Sequence, residues 1–169
     1  MSDYYNAFEI SPVPEPTPDV DPPELHRGIY GMPMFLTVPT TDIDASERYW
    51  CEGLGFFNLF SVPGQMVHLR RWAFQDVLLV AAEEQATELP SASVSFACVL
   101  KEIDTIAAGG NKALPGSVSE PRHMPWNTVE VEVHTPENMR VIFTAAKPFD
   151  PESEEAANLA EMGITPPEK

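Results

Sequence analysis

The sequence predicts an α+β fold made of two consecutive modules, each with the element order strand, helix, strand, strand, strand. The first observation is an apolar run followed by an amphipathic helix and a further strand within residues 31–60. The second is the return of the same element order after an acidic linker at residues 83–90. The third is length, because 169 residues suffice for two small repeated halves that share one core. We therefore place the folded domain at residues 29–147, with modules at about 32–82 and 93–146.

The first module opens with an apolar run at residues 34–38, which predicts a buried strand. Pro39 is predicted to end this strand, because proline cannot donate to a strand ladder. In the helix that follows, Asp42 or Asp44 can act as the cap, and Glu47 stands at capping-box spacing from Asp44. The spacing of apolar residues gives this helix one buried face, formed by Ile43, Tyr49, Trp50 and Leu54.

Two glycines, Gly53 and Gly55, are predicted to end this helix, because glycine readily adopts the left-handed backbone found after helix ends. Three strands complete the first module, at residues 56–60, 66–71 and 77–82. The first module therefore ends just before the acidic linker.

The second module begins with a predicted strand at residues 94–100 and a short helix at 102–108, which Gly109-Gly110 is predicted to end. Residues 129–134 alternate strictly between apolar and polar side chains, which indicates a strand with one buried and one exposed face. Residues 114–121 are predicted to be irregular or to form an edge strand, and the last strand is predicted at residues 140–146. The alternation places Val129, Val131 and Val133 on one face of its strand, and Glu130, Glu132 and His134 on the other.

The two ends of the chain differ from the domain in composition. Residues 1–28 form a proline-rich acidic extension, and proline favours extended chain and prevents helix. We hypothesise that four apolar residues of this extension dock on the domain or on a partner subunit; the alternative is a disordered tail. These residues are Tyr4, Tyr5, Phe8 and Ile10. Residues 148–169 form an acidic tail in which residues 151–162 can form a short helix.

Charge and hydropathy exclude some classes of partner. The domain carries −6 of the formal net charge of −16 and each terminal segment carries −5, so no basic patch is available for nucleic acid. No segment approaches the roughly 20 apolar residues that cross a bilayer, and the N-terminus lacks the features of a secretory signal. We therefore expect a cytoplasmic protein with Cys51 and Cys98 as reduced thiols; a disulfide between them is the disfavoured alternative.

The helix end Tyr49-Trp50, followed by Gly53-Leu54-Gly55-Phe56 and then a strand, resembles the opening of the vicinal oxygen chelate superfamily, the glyoxalase/bleomycin-resistance/dioxygenase proteins. Within it, the chain is most similar to the antibiotic-binding bleomycin-resistance branch. The resemblance covers roughly residues 32–147. It implies two βαβββ modules that form curved mixed sheets, and a homodimer with crevices at its interface.

The resemblance also shows where metal ligands lie in the metal-dependent members: on the first and fourth strands, the first strand of the second module, and the last strand. None of the side chains at those places binds a divalent cation well, so we expect no metal and no cofactor. These side chains are Pro33 or Met34, Leu79, Ser93 or Val94, and Ile142 or Phe143. A relocated site made of His68 with Glu130 or Glu132 is the alternative.

Two aromatic residues match ligand-stacking positions of the bleomycin-resistance branch. Trp126, in Met124-Pro125-Trp126, corresponds to the indole that stacks on the drug, and Phe60 to the aromatic residue on the other side of the ligand. Two such faces make a slot for one planar group. The alternative for both residues is a place in the core. Further residues predicted to line the crevice are Met66, Trp72, Phe74 and Met124.

These observations predict non-catalytic binding and sequestration of a bulky, partly aromatic natural-product antibiotic, with no catalytic residues. The first alternative is a metal-free or atypical-metal enzyme of the same superfamily that acts on a biosynthetic intermediate. The second is a scaffold whose proline-rich end engages another protein.

Overall fold

The computed structural model describes residues 11–28 and 34–163, which contain two four-stranded mixed sheets and three α-helices. The first sheet has the strand order β1-β4-β3-β2 and the second the order β5-β8-β7-β6. In each, the first strand of the module lies parallel to the last. This confirms the predicted α+β fold of two βαβββ modules. The elements are β1 Leu36–Thr40, α1 Ile43–Arg48, a π-helical turn Tyr49–Gly53, β2 Phe57–Val62, β3 Met66–Arg71, β4 Gln75–Ala81, β5 Val94–Cys98, α2 Leu100–Ala113, β6 Arg122–Met124, β7 Thr128–His134, β8 Arg140–Ala146 and α3 Glu154–Glu161.

Both modules share one hydrophobic core, which contains side chains from each sheet and from the helical segments. In β7 the alternation is as predicted: the three valines are buried in this core and Glu130 and Glu132 lie on the opposite face. Rings of both modules meet in the core, where Phe56 lies 5.5 Å from Phe96, centroid to centroid. The outer face of each sheet is the one turned away from this core.

The prediction that Pro39 ends the first strand is wrong, because Pro39 lies inside β1, opposite Val80 of β4. Among the described strands, β1 pairs with β4 alone and lies at the edge of its sheet, where a residue without an N–H group breaks no ladder on the open side. The strand begins at Leu36, later than predicted, and Met34 precedes it with 67% of its surface exposed.

Helix α1 begins at one of the two predicted caps. The Asp42 side chain accepts a hydrogen bond of 2.9 Å from the backbone N–H of Ala45. Glu47 does not complete a capping box with Asp44; its carboxylate accepts from the Asn58 side chain at 2.8 Å. The π-helical turn that continues α1 buries Tyr49, Trp50 and Gly53, so the predicted apolar face is largely confirmed.

Gly109 and Gly110 do not end α2, which continues to Ala113, so this prediction is wrong. Both glycines instead allow other chain segments to approach closely. A Cβ atom on Gly109 would lie 2.6 Å from the carbonyl oxygen of Gly53, and one on Gly110 would lie 2.3 Å from Cγ2 of Val118. Larger side chains at these positions would therefore separate α2 from the π-helical turn of the first module.

A buried arginine also ties the modules together. Arg71, at the end of β3, is 2% exposed, and its Nη1 donates to Gln75 Oε1 at 2.7 Å and to the Ala97 carbonyl at 2.8 Å. Its Nη2 forms an ion pair with Glu102 of α2 at 2.7 Å. Because Ala97 and Glu102 belong to the second module, this one cation satisfies groups of both halves.

The described part of the N-terminal extension contacts the domain. Five residues between Val13 and Val20 line a small cavity together with residues 98–100, and Asp21 pairs with Lys101 at 2.9 Å. The guanidinium of Arg27 lies 4.7 Å from the centroid of the Phe57 ring. The four apolar residues of the docking hypothesis, Tyr4, Tyr5, Phe8 and Ile10, lie outside the described residues.

Both cysteines are free thiols in the structure. Burial raises the pKa of the Cys98 thiol to about 12 and that of the Cys51 thiol to about 11. Both groups therefore remain protonated near neutral pH, where a thiol is a poor nucleophile. Their environment is that of structural cysteines.

Replacing Gly110 by alanine is expected to lower the free energy of unfolding by about 1–3 kcal/mol, because the new methyl group overlaps Val118 in a packed interior. Urea unfolding followed by circular dichroism measures this change. Thr105→Ala, on an exposed position of the same helix, is the control and should stay within about 0.5 kcal/mol of the parent protein. Equal stabilities for the two variants would contradict the close approach.

Candidate functional site

The outer face of the second sheet contains a concavity of about 210 Å³. Alternation along β6, β7 and β8 brings side chains from three neighbouring strands to this face. The concavity therefore combines an indole, two carboxylates, two guanidinium groups and apolar side chains. It is lined by Ser119, Arg122, Met124, Trp126, Glu130, Glu132, Arg140 and Ile142.

Trp126 lies in the turn between β6 and β7, where its ring is 45% exposed. The turn is tight: Asn127 has a φ of 65°, a left-handed conformation that asparagine tolerates better than most residues. The indole Nε1 donates a hydrogen bond of 3.0 Å to Glu130 Oε1. The ring is thus held in one orientation while much of its surface stays open to a ligand.

Glu130, on β7, is a hydrogen-bond acceptor shared by Trp126 and the neighbouring strand β8. Its Oε1 accepts hydrogen bonds from Trp126 Nε1, from Thr128 Oγ1 at 3.0 Å and from Thr144 Oγ1 at 3.1 Å. Glu130 and Thr144 are register partners on β7 and β8. Sequence reasoning placed Glu130 on the outer face but missed this role, because the three donors converge only once the strand register is set.

A second carboxylate, Glu132, belongs to an ion network at the rim. It pairs with Arg140 at 2.9 Å and with His134 at 3.0 Å. Hydrogen bonds from the Arg140 guanidinium and from His134 lower the pKa of Glu132 from 4.5 to about 2. Its negative charge is therefore already paired within the protein.

The residues predicted to line a crevice are divided between the two modules. Met124 and Trp126 line the concavity of the second sheet. Phe60, on β2 of the first module, is 52% exposed. Met66 lies on the neighbouring strand β3, opposite Val80 of β4, and is half-buried. Within one chain, Phe60 and Met66 therefore belong to the first sheet, and Met124 and Trp126 to the concavity of the second.

The two remaining crevice residues lie in the β3–β4 connection. Trp72 is only 1% exposed, with the Arg71 guanidinium 4.7 Å from its ring centroid, so it has almost no surface to offer a ligand. Phe74 is 51% exposed. Both residues have positive φ values, 58° and 67°, which are uncommon for bulky side chains and mark a constrained turn.

The relocated metal site is not assembled within one chain. His68 contacts Asp76 at 2.6 Å on the first sheet, whereas Glu130 and Glu132 lie on the second. Within residues 11–28 and 34–163, no group of three or more His, Cys, Asp and Glu side chains is arranged to hold a metal ion. Ile142, one of the two last-strand residues (with Phe143) where the resemblance expects a metal ligand, lines the concavity with an alkyl side chain. An alkyl side chain at this position does not fit a divalent metal ion.

No family model matches the sequence, and no curated protein is similar to it in sequence. Solved structures show the same fold. The fosfomycin resistance protein FosX from Mesorhizobium loti is 13% identical with a TM-score of 0.56, over 71% of this chain and 95% of that one. A glyoxalase-related enzyme from Clostridium phytofermentans is 15% identical with a TM-score of 0.52, over 72% and 99%. The bleomycin resistance determinant encoded on the transposon Tn5 is 15% identical with a TM-score of 0.50, over 68% and 98%.

The chain therefore has the fold of the vicinal oxygen chelate superfamily, as the resemblance of its opening segment implied. Its two sheets match the paired modules of these proteins. Among the described helices, none is both long and apolar enough to cross a membrane.

Glu132 is expected to contribute to the pH dependence of stability. Because its folded-state pKa lies below its ordinary value, its contribution is present above about pH 4.5 and is lost as the pH falls towards 2. Urea unfolding at pH values across this window should show a smaller loss for Glu132→Gln than for the parent protein. Glu84→Gln, an exposed residue of the linker, is the control. Parallel pH profiles for all three proteins would contradict the ion network.

Proposed function

We propose that this protein binds and sequesters a bulky, partly aromatic natural-product antibiotic without converting it. The observation that carries this proposal is the Trp126 indole, which is 45% exposed and oriented by Glu130 over a concavity. An oriented ring with an open face stacks on a planar ligand with little loss of conformational entropy. The shared fold with a bleomycin resistance determinant and a fosfomycin resistance protein supports a resistance role.

The size of the concavity favours a site completed by a second chain. Sites for drug-sized ligands usually enclose about 300–1,000 Å³, whereas the concavity of one chain holds about 210 Å³. Phe60 is a half-exposed aromatic side chain on the first module and lies on a different sheet from Trp126. We therefore propose a homodimer in which the first module of one chain supplies Phe60 to the second module of its partner.

One observation favours catalysis as a second candidate. On the first sheet, His68 Nε2 contacts Asp76 Oδ1 at 2.6 Å, and Arg70 Nε donates to the same oxygen at 2.8 Å. Because a carboxylate can only accept, His68 donates through Nε2, and Nδ1 of the neutral ring can take a proton from a substrate. A metal-free enzyme that acts on a biosynthetic intermediate would use this pair as its base.

Native mass spectrometry with a panel of planar antibiotics distinguishes the two candidates. A dimer that takes up two copies of one compound, with the compound released at unchanged mass, supports sequestration. A compound released with altered mass, and unaltered by a His68→Gln variant, supports catalysis through the His68–Asp76 pair.

Trp126→Ala is expected to weaken binding of the captured compound by about 1–3 kcal/mol, because the stacking surface is lost. Isothermal titration calorimetry gives the affinity. Leu114→Ala removes an exposed apolar side chain at the end of α2, away from the concavity, and should leave the affinity unchanged. Equal affinities for the Trp126 variant and the parent protein would show that the indole does not contact the bound compound.

A mixed dimer tests whether Phe60 and Trp126 of different chains share one crevice. Dimers of Phe60→Ala chains and dimers of Trp126→Ala chains should both bind weakly. A dimer with one chain of each kind contains one crevice with both changes and one with neither, so it should bind one copy of the compound with the parent affinity. Titration calorimetry on the mixed dimer measures this. Two weak sites instead would place both residues in a crevice within one chain.

A further inference from the structure

The two arginines of the concavity differ in their partners. Arg140 donates to Glu132 at 2.9 Å and is engaged in the ion network at the rim. Arg122, on β6, is exposed, and its side chain forms no hydrogen bond or ion pair with any residue that the structure describes. Among residues 11–28 and 34–163, the Arg140 guanidinium of the concavity therefore has an ion-pair partner and the Arg122 guanidinium has none.

In the part of the chain that the structure describes, the Arg122 side chain has no ion pair, although a carboxylate residue lies directly across from it. Arg122 and Glu130 are register partners on β6 and β7, a position at which opposite charges often pair. Glu130 Oε1 instead accepts from Trp126, Thr128 and Thr144. These hydrogen bonds hold the Glu130 carboxylate towards Trp126 and Thr144. The Arg122 guanidinium is therefore available to bind another anion.

We propose that Arg122 binds an anionic group of the ligand, a carboxylate, phosphate or sulfonate, while the planar part of the same ligand stacks on Trp126. This inference rests on the proposed function, because it defines the ligand class of that same concavity. A guanidinium presents a planar set of donors that matches such oxygens in pairs. Met124 lies two residues after Arg122 on the same face of β6, so an apolar surface connects the cation to the aromatic ring.

The charge of the whole chain makes this arginine a determinant of selectivity. A formal net charge of −16 disfavours the approach of anions in general. The Glu132 charge is paired with Arg140 and His134, whereas Arg122 has no such partner among the described residues. An anionic group placed at Arg122 gains a charge-assisted contact there, whereas a cationic group would meet an unpaired like charge.

Two fluorescent probes with the same ring system test the inference. Anilinonaphthalenesulfonate carries a sulfonate, and phenylnaphthylamine is the same compound without it. Fluorescence titration of the intact protein should give an affinity about tenfold higher for the sulfonate, the usual gain from a hydrogen bond to a charged group. Arg122→Gln should abolish this preference and leave the affinity for the neutral probe unchanged.

Three further variants make the result specific. Arg122→Lys keeps the charge but loses the planar fork, and should retain part of the preference. Arg48→Gln changes the net charge by the same amount on α1, outside the concavity, and should retain all of it. Trp126→Ala should weaken both probes together, because both stack on the indole.

The outcomes separate this inference from the function on which it rests. If Trp126→Ala weakens both probes and Arg122→Gln leaves their ratio unchanged, the binding site stands and the role of Arg122 is overturned. If the parent protein prefers the neutral probe, the role of Arg122 is likewise overturned. If Trp126→Ala leaves both affinities unchanged, the probes do not use the indole, and the proposed site and the inference are overturned together.

Discussion

The close approach of α2 to the π-helical turn is the constraint on which the rest of the structure depends. Gly109 and Gly110 face Gly53 and Val118 at distances that a Cβ atom does not permit. This contact brings the helical segments of both modules into one core, which also takes the inner face of each sheet. Arg71 adds a polar tie across the same junction, to Ala97 and Glu102. Because the inner faces meet in the core, the outer faces are the ones available for function.

On the second sheet, the strand register determines which functional side chains lie next to each other on the outer face. Neighbouring strands place Glu130 beside Thr144, and the carboxylate then orients Trp126. The result is a small concavity that contains an oriented indole ring, the Glu132–Arg140 ion pair, and an Arg122 side chain without an ion pair among the described residues. Such a surface is suited to recognition, because it offers an aromatic face and a positive charge to a ligand.

The outer face of the first sheet differs from that of the second, because it contains a fully buried ion pair between Arg70 and Asp76. Asp76 is buried there and contacts both His68 and Arg70, whose Nη1 also donates to the Gly28 carbonyl of the N-terminal extension. The extension therefore satisfies part of a buried cation on this sheet, beyond its contact at Lys101. Exposed Phe60 lies opposite His68 on the adjacent strand. Because Phe60 and Trp126 lie on separate sheets, the proposed crevice would take these two side chains from different chains.

The sequence by itself determined the features that depend on local periodicity. The order of elements, the buried face of the first helix and the alternation that turns Glu130 and Glu132 outward all follow from neighbouring residues. Only the tertiary structure decided that Gly109-Gly110 is a packing contact inside a helix and that Trp72 is buried beside Arg71. The division of Phe60 and Trp126 between sheets also depends on the tertiary structure. These features arise from residues far apart in the chain, and no local pattern encodes the distances between them.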